Sequence, residues 1–354
     1  DSREGMLIEG PAGWGEFAPF DDYSPQAAAR WLGSAIEAAF EGWPMPIRDA
    51  IEVNAIIPAL PTEQAAELAR EAVSRGCRTI KIKVGGSPDL DIARIAVVRQ
   101  LLDEEFGVGV GRIRLDANAQ WSLDEAIAML ERCAQYGIEY AEQPCATLDD
   151  LALVRRETGI RIAVDEGIRT SDDPGSLHLA DVADVAIIKP ATLGGVRDSL
   201  DLISSLGLPV VVSGAMDSSV GLGTGLALAG ALPELMFASG LGTGALLADD
   251  LVSSPVVPVE GELAVRRIEP EAAALSRARA RVIDEAQWRD RLVAAWQAGA
   301  TDRMRDALGI GRDRESVDRS GTRHHRRPAA LRGLRHRVVA RFTLCCSSDR
   351  RGRG

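Results

Sequence analysis

From about residue 51 to 245 the chain alternates short apolar runs with longer amphipathic segments. Eight runs read as strands: "IEVNAIIPAL", "TIKIKV", "RIRLDAN", "IEYAEQP", "RIAVDEG", "VAIIKP", "LPVVVSG" and "LMFASGLG". Between them the spacing predicts helices. One runs from Thr62 to about Ser74, and one is entered at Ser87-Pro88 with Ser as N-cap and Pro in the first turn. A capping box, Ser122 to Glu125, opens the next. Others start near Thr147, near Pro174 (a short one, to Leu179), at Gly195 and at "SSVGLGTGLALAGAL". Such βα alternation predicts a parallel sheet with right-handed crossovers, doubly wound or closed into a barrel. No GxGxxG follows the first strand, and the late "GLGTGLALAG" lacks a partner acid, so a dinucleotide fold finds little support.

The flanks differ. Residues 1–50 hold strand-like "GMLIEG" and "GWGEFAP", then a helix from Pro25 to Phe40. Residues 250–300 hold "PVVPVEGELAV" and an Arg/Ala-rich helix. The expectation is an α+β capping domain built from both ends (1–50 and 250–300) around a barrel domain at 51–249, with an arginine-rich, disordered tail from 301 to 354.

"TIKIKVGG" puts two lysines on what reads as a buried strand. Residues i and i+2 share a face, so Lys81 and Lys83 point one way and Ile80 and Ile82 the other. On pattern alone this could be a solvated face. The following strands argue otherwise, because polar residues stand at their carboxyl ends: Lys83, Asp116, Glu142, Asp165 and Lys189, then Ser213-Gly214. The intervals after Asp116 are 26, 23 and 24 residues, one βα unit each. In a barrel these residues meet at the mouth, where catalytic groups lie. One acid there is often just a helix cap; three on consecutive strands, flanked by lysines, are not explained that way. Three crowded carboxylates repel one another unless a cation sits among them, and oxygen ligands with waters suit Mg²⁺. Such an ion can hold a substrate carboxylate and stabilise the enediolate formed when the adjacent carbon loses its proton. A lysine is a base only when neutral, and the expectation is that Lys81, Lys189 and the ion favour that form of Lys83.

Composition narrows the classes. The net charge of −11 argues against nucleic acid as a partner, and no apolar run is long enough for a transmembrane helix. Nothing sets an oligomeric state. Cys77, Cys133, Cys145, Cys345 and Cys346 fit no zinc or secreted-disulfide spacing, which points to the cytoplasm. Three of the four histidines lie in the tail, leaving His178, read as structural within a helix. Residues 311–354 carry thirteen arginines and four acids, a net of +9, leaving −20 on the rest. That stretch reads either as a basic arm or as an extension outside the fold, and the second is expected.

The set Lys81-Ile82-Lys83, Asp116 in "LDAN", Glu142 in "EQP", Asp165 in "VDE" and Lys189 in "IIKP" resembles the enolase superfamily in its muconate-lactonizing branch. The resemblance covers about residues 5–300. It implies a modified (β/α)7β TIM-like barrel with a capping domain, Asp116, Glu142 and Asp165 as Mg²⁺ ligands, and a small-molecule carboxylate as substrate. "GWGEFAPF", "VNAIIPA", "RIRLDANAQW" and "AEQPC" look most like the o-succinylbenzoate synthase family in its actinobacterial form. That implies dehydration of 2-succinyl-6-hydroxy-2,4-cyclohexadiene-1-carboxylate in menaquinone biosynthesis. Lys83 would remove and return the proton, and Lys189 would stabilise the enediolate. Arg114 would set the substrate or a loop, and Asn118, Ser213 and Gly214 would contact the substrate or its surroundings. The alternatives are an N-succinylamino acid racemase, a dipeptide epimerase, a muconate cycloisomerase, or an inactive binding protein. "ASGLGTG" lacks the acidic pair typical of dipeptide epimerases. The chain opens at Asp1 on a strand-like segment, so a first capping strand and a mobile loop are expected to be missing.

Overall fold

The computed structural model describes residues 2–254, 256–309 and 337–344. Strands β1 (Ser2–Gly10) and β2 (Gly13–Phe17) form an antiparallel hairpin. The helix Pro25–Ile36 follows, with Ser24 accepting from the Ala27 N–H and Pro25 in the first turn. It continues into a π-helical turn, Glu37–Glu41. Its apolar face, with Trp31, Leu32 and Ile36, buries against Met6, Ile8 and Phe17 of the hairpin. Trp288, Leu292 and Trp296 of the helix Glu285–Gly299 complete this core, so both ends of the chain build one cap.

After β3 (Ala50–Glu52) the chain enters the barrel. Seven parallel strands stand side by side in chain order: β4 (Ala55–Ile57), β5 (Thr79–Lys83), β6 (Arg112–Asp116), β7 (Ile138–Glu142), β8 (Ile162–Val164), β9 (Val185–Ile188) and β10 (Val210–Val212). The eighth expected strand is reduced to Ser239–Gly240, which closes the ring. Ser239 donates to Glu52 O at 2.8 Å on one side, and Gly240 donates to Val212 O at 2.7 Å on the other. The seam is tight enough that a Cβ on Gly240 would lie 2.6 Å from Ser213 Oγ.

Period-two alternation sorts the barrel residues. Ile80, Ile82, Ile113, Leu115, Ile162, Val164 and Ile188 face outward into the large core shared with the helices. Tyr140, Ala163, Val185, Ile187 and Val211 form a separate cluster with Phe237. Truncating one outward residue, such as Ile82→Ala, would cost roughly 2–5 kcal/mol. Ser122 and Thr147 cap their helices as expected, Ser122 in a full capping box. Ser87 makes no side-chain cap bond. The helix expected at Pro174–Leu179 is a single 3₁₀ turn, Pro174–Ser176, and His178 lies exposed beyond it with Nδ1 3.0 Å from Ser176 O. Three residues after a proline gain too few intrahelical bonds to propagate a helix.

Strand β11 (Leu247–Asp249) leads back to the cap, and β12 (Glu262–Ala264) pairs antiparallel with β3. Two expectations about the tail are corrected. The helix Asp302–Ala307 packs on the cap, with Met304 buried in its core. Strand β13 (Arg337–Leu344) then lies between β1 and β11, so the cap sheet reads β11-β13-β1-β2. Counting apolar side chains missed what the main chain gains. The open edge of β1 offers a row of unpaired N–H and C=O groups, and a short strand can satisfy them with few apolar residues. Val339 and Ala340 bury on opposite faces, Val339 with Met6 and Ile8, Ala340 with Leu7 and Leu251. The remainder of the expected tail, 310–336 and 345–354, lies outside the described residues.

Two carboxylates from the cap clamp the barrel. Glu37, fully buried, accepts from the Val196 N–H at 2.5 Å at the start of the helix Val196–Leu206 and pairs with Arg197 and Arg303 at 2.8 Å each. Gly195 leaves the room for it: its φ is 118°, and a Cβ there would sit 2.1 Å from Glu37 Oε2. Glu16 of β2 accepts from the backbone and the hydroxyl of Ser218, the N-cap of the helix Ser219–Ala231. For Glu37, negative charge at a helix N-terminus is favourable.

Candidate active site

Register brings the polar residues into one row. Lys83 pairs with Asp116, and Asp116 with Glu142, across three adjacent strands. Asp165 follows β8 and Lys189 follows β9. β5 and β9 stand four places apart in a ring of eight positions, so Lys83 and Lys189 face each other across the mouth. The acids are at most 1% exposed.

Each acid holds an ammonium. Lys81 Nζ lies 2.9 Å from both Asp116 Oδ2 and Glu142 Oε1. Lys83 Nζ reaches Asp116 Oδ2 at 2.7 Å and Asn118 Oδ1 at 2.6 Å. Lys189 Nζ reaches Asp165 Oδ2 at 2.5 Å. Burial alone would lower both Lys81 and Lys189. The charges of Asp116 and Glu142 overcome it at Lys81, and those of Asp165 and Glu142 at Lys189, so both are held above the ordinary lysine value. Burial likewise pushes Asp116 up, but Lys81 and Lys83 hold it well below the usual carboxylate range. Glu142 goes the other way: burial, then the Asp116 charge, push it up to about 7 against Lys81. Lys81 was expected to act through Lys83; here it bridges two acids.

The supporting residues divide. Asn118 enters the site, bonded to Lys83 and, through Nδ2, to Glu166 Oε1 at 3.2 Å. Ser213 sits at the barrel seam with Oγ 3.3 Å from Gly240 O. Gly214 makes room for Asp217, whose Oδ2 would lie 2.9 Å from a Cβ there. Arg114 is corrected. It shares Asp116's face, but two residues earlier on the strand is one layer deeper. There it donates to Glu139 at 2.6 Å, to Asn54 at 2.8 Å and to Ala238 O at 2.8 Å, with its guanidinium 4.8 Å from the Tyr140 ring. It braces the barrel interior against the closing segment.

Three residues escaped the sequence reading. Arg169 donates to Glu166 Oε1 at 2.7 Å and to the Tyr23 hydroxyl at 2.6 Å, and lies 3.5 Å from Asp165 Oδ1. Burial lowers Arg169, but Asp165 and Glu166 outweigh it and raise it. The acids of "VDEGIR" followed by an arginine three and four residues on were the available signal. Tyr23 has no such mark; it comes from a cap loop and lines a cleft of about 660 Å³ with Ser24, Arg30, Thr170 and Ser171.

The donors suit a hard divalent cation: three carboxylates, oxygen only, aimed at one mouth. Asp165 Oδ1 is buried and has no hydrogen-bond partner. As the side chains stand, no three acidic, His or Cys groups among the described residues are drawn together tightly enough to share an ion. Lys81, shared between Asp116 and Glu142, and Lys189 on Asp165 occupy the acids with ammonium contacts.

Residues 64–270 match the model of the "Enolase C-terminal domain-like" family, and residues 1–39 that of the "Enolase N-terminal domain-like" family. An o-succinylbenzoate synthase of Thermobifida fusca is 47% identical over 296 residues, covering 83% of this chain and 90% of that protein. One of Mycolicibacterium smegmatis is 45% identical, covering 82% and 89%. Among solved structures, the muconate lactonizing enzyme of Pseudomonas fluorescens complexed with muconolactone superposes with a TM-score of 0.64 at 17% identity, over 78% of this chain and 98% of that one, which shows the shared fold. On a barrel whose mouth carries this set of lysines and acids, that likeness along most of both lengths is decisive: the chain belongs to the o-succinylbenzoate synthase family of the enolase superfamily.

Proposed function

We propose that the protein dehydrates 2-succinyl-6-hydroxy-2,4-cyclohexadiene-1-carboxylate to o-succinylbenzoate, in the cytoplasm, with Mg²⁺ held by Asp116, Glu142 and Asp165. One observation carries the assignment of roles: two lysines face each other across a mouth whose near wall is three buried carboxylates. A bound divalent cation supplies positive charge to the substrate carboxylate as charge builds on it. The protein's own groups do the rest. Lys83 is the reachable lysine, with a side chain 33% exposed against 6% for Lys81. It takes the proton from the carbon beside the carboxylate and returns it to the departing hydroxyl, so water leaves and the ring gains its last double bond. Lys189, paired with Asp165 in the structure, would keep its proton and face the intermediate from the other side. Buried Lys81 keeps Asp116 and Glu142 from repelling each other before the cation enters.

The test is turnover of that substrate followed by product absorbance. Activity should vanish after exhaustive chelation and return on adding Mg²⁺. Full activity in the chelated protein would remove the metal from the reading, and no turnover in the Mg²⁺-loaded protein would remove the substrate.

A further inference from the structure

A continuous chain of hydrogen bonds joins the cap to the lysine at the mouth. It runs from the Tyr23 hydroxyl to Arg169, from Arg169 to Glu166 Oε1, from there to Asn118 Nδ2, and from Asn118 Oδ1 to Lys83 Nζ, over distances of 2.6, 2.7, 3.2 and 2.6 Å. We propose that Glu166 and Arg169, anchored by Tyr23, are positioning residues that hold the Lys83 amine in its reactive direction by fixing the orientation of the Asn118 amide. This rests on Lys83 being the base for the dehydration.

An asparagine amide presents an acceptor at one end and donors at the other, and its two orientations differ only in which faces Lys83. The Glu166 carboxylate can only accept, so it selects the orientation with Nδ2 toward itself and Oδ1 toward the lysine. Reversal would set an NH₂ against the ammonium and an oxygen against the carboxylate, two repulsive contacts in a partly buried place. Asn118 has φ 47°, a left-handed conformation that asparagine accepts more readily than most residues. The Asn118 N–H also donates to Asp116 Oδ1 at 3.2 Å.

Glu166 must in turn be held. It sits beside Asp165, and Arg169 lies against both acids, balancing charge that would otherwise drive them apart. The guanidinium is a rigid fork, so the Tyr23 hydroxyl on one nitrogen sets where the other meets Glu166. Tyr23 packs against Phe20 and Trp31 of the cap, ring centroids 5.7 and 6.2 Å away. Cap placement is thereby transmitted to the amine that moves the proton. A misplaced base is costly, since an error of about 1 Å can slow a step by roughly 100-fold.

The test uses the Mg²⁺-loaded full chain, measuring kcat, KM and the isotope effect with substrate deuterated beside the carboxylate. Glu166→Gln removes the charge that selects the amide orientation, Asn118→Ala removes the amide, and Tyr23→Phe removes only the anchor. For Glu166→Gln and Asn118→Ala, kcat should fall roughly 10- to 100-fold with KM nearly unchanged and a larger isotope effect. Tyr23→Phe should do the same more weakly, and Arg169→Lys should retain more activity than Arg169→Met. The Asn118→Ala/Glu166→Gln double variant should be no slower than Asn118→Ala, because both act on one contact. Losses that multiply, or that appear in KM with an unchanged isotope effect, would overturn the inference while wild-type turnover leaves the assigned reaction standing. A wild-type protein inactive on this substrate would take down both.

Discussion

Glu16 of the cap accepts hydrogen bonds from both the backbone and the hydroxyl of Ser218, at the helix that follows the last regular barrel strand. Burial, then the charge of Asp217, push Glu16 up to about 7, against the Ser218 bonds and Arg3. A carboxyl whose folded value lies above its unfolded one contributes stability that is complete below about pH 4.5 and is lost as pH rises through 7. Stability should therefore decline from pH 5 toward 8. Glu16→Gln should flatten that decline by an amount on the order of 1–3 kcal/mol. Urea melts across this range check it; identical pH profiles for the two proteins would contradict the assignment.

Glu37 is the other clamp. Its removal leaves two N–H groups at the start of the helix Val196–Leu206, one buried and one part-buried, without an acceptor and strips Arg197 and Arg303 of a shared partner. Glu37→Ala should cost about 3 kcal/mol or more, and Glu37→Gln less, because the amide oxygen still accepts. Denaturant midpoints decide this.

The β13 strand makes a prediction opposite to the one the tail's composition invited. Val339 lies against Met6 and Ile8 in the cap core. Val339→Asp would bury an unpaired charge there, and truncation after Gly309 would unpair one edge of β1. Both should lower the melting temperature, by roughly 1–2 °C for each kcal/mol lost in a chain of this length. An unchanged melt after truncation would show that β13 contributes nothing to the cap.

What the sequence disclosed follows from where each residue stands. Lys83, Asp116, Glu142, Asp165 and Lys189 were legible because each ends an apolar run, and a parallel βα repeat sends every such end to one mouth. Arg114 was misplaced because alternation gives the face of a strand but not the depth along the barrel. The Ser239–Gly240 closure carries too few apolar residues to be delimited by pattern. Tyr23 and Arg169 reach the site from a loop and a short helix, where period-two logic does not apply. Strand β13 was invisible because its partner edge belongs to residues more than three hundred positions earlier, and main-chain pairing leaves little trace in composition.

Glu142 sits centrally in the row of acids and is pushed up to about 7 by burial and Asp116. Glu142→Gln keeps an acceptor for Lys81 but weakens one of the three proposed cation ligands. Turnover should fall below detection with the melting temperature nearly unchanged. Retained turnover at saturating Mg²⁺ would exclude Glu142 from the ligand set.

Proton transfer is assigned to Lys83. Its most direct measurement is the turnover of Lys83→Ala at saturating Mg²⁺, with solvent deuterium exchange beside the substrate carboxylate read by NMR and Lys189→Ala run alongside. Both dehydration and exchange should be abolished in Lys83→Ala, and dehydration severely slowed in Lys189→Ala through lost charge stabilisation. Near-normal dehydration by a folded Lys83→Ala protein would contradict the account and place the acid/base work on another residue.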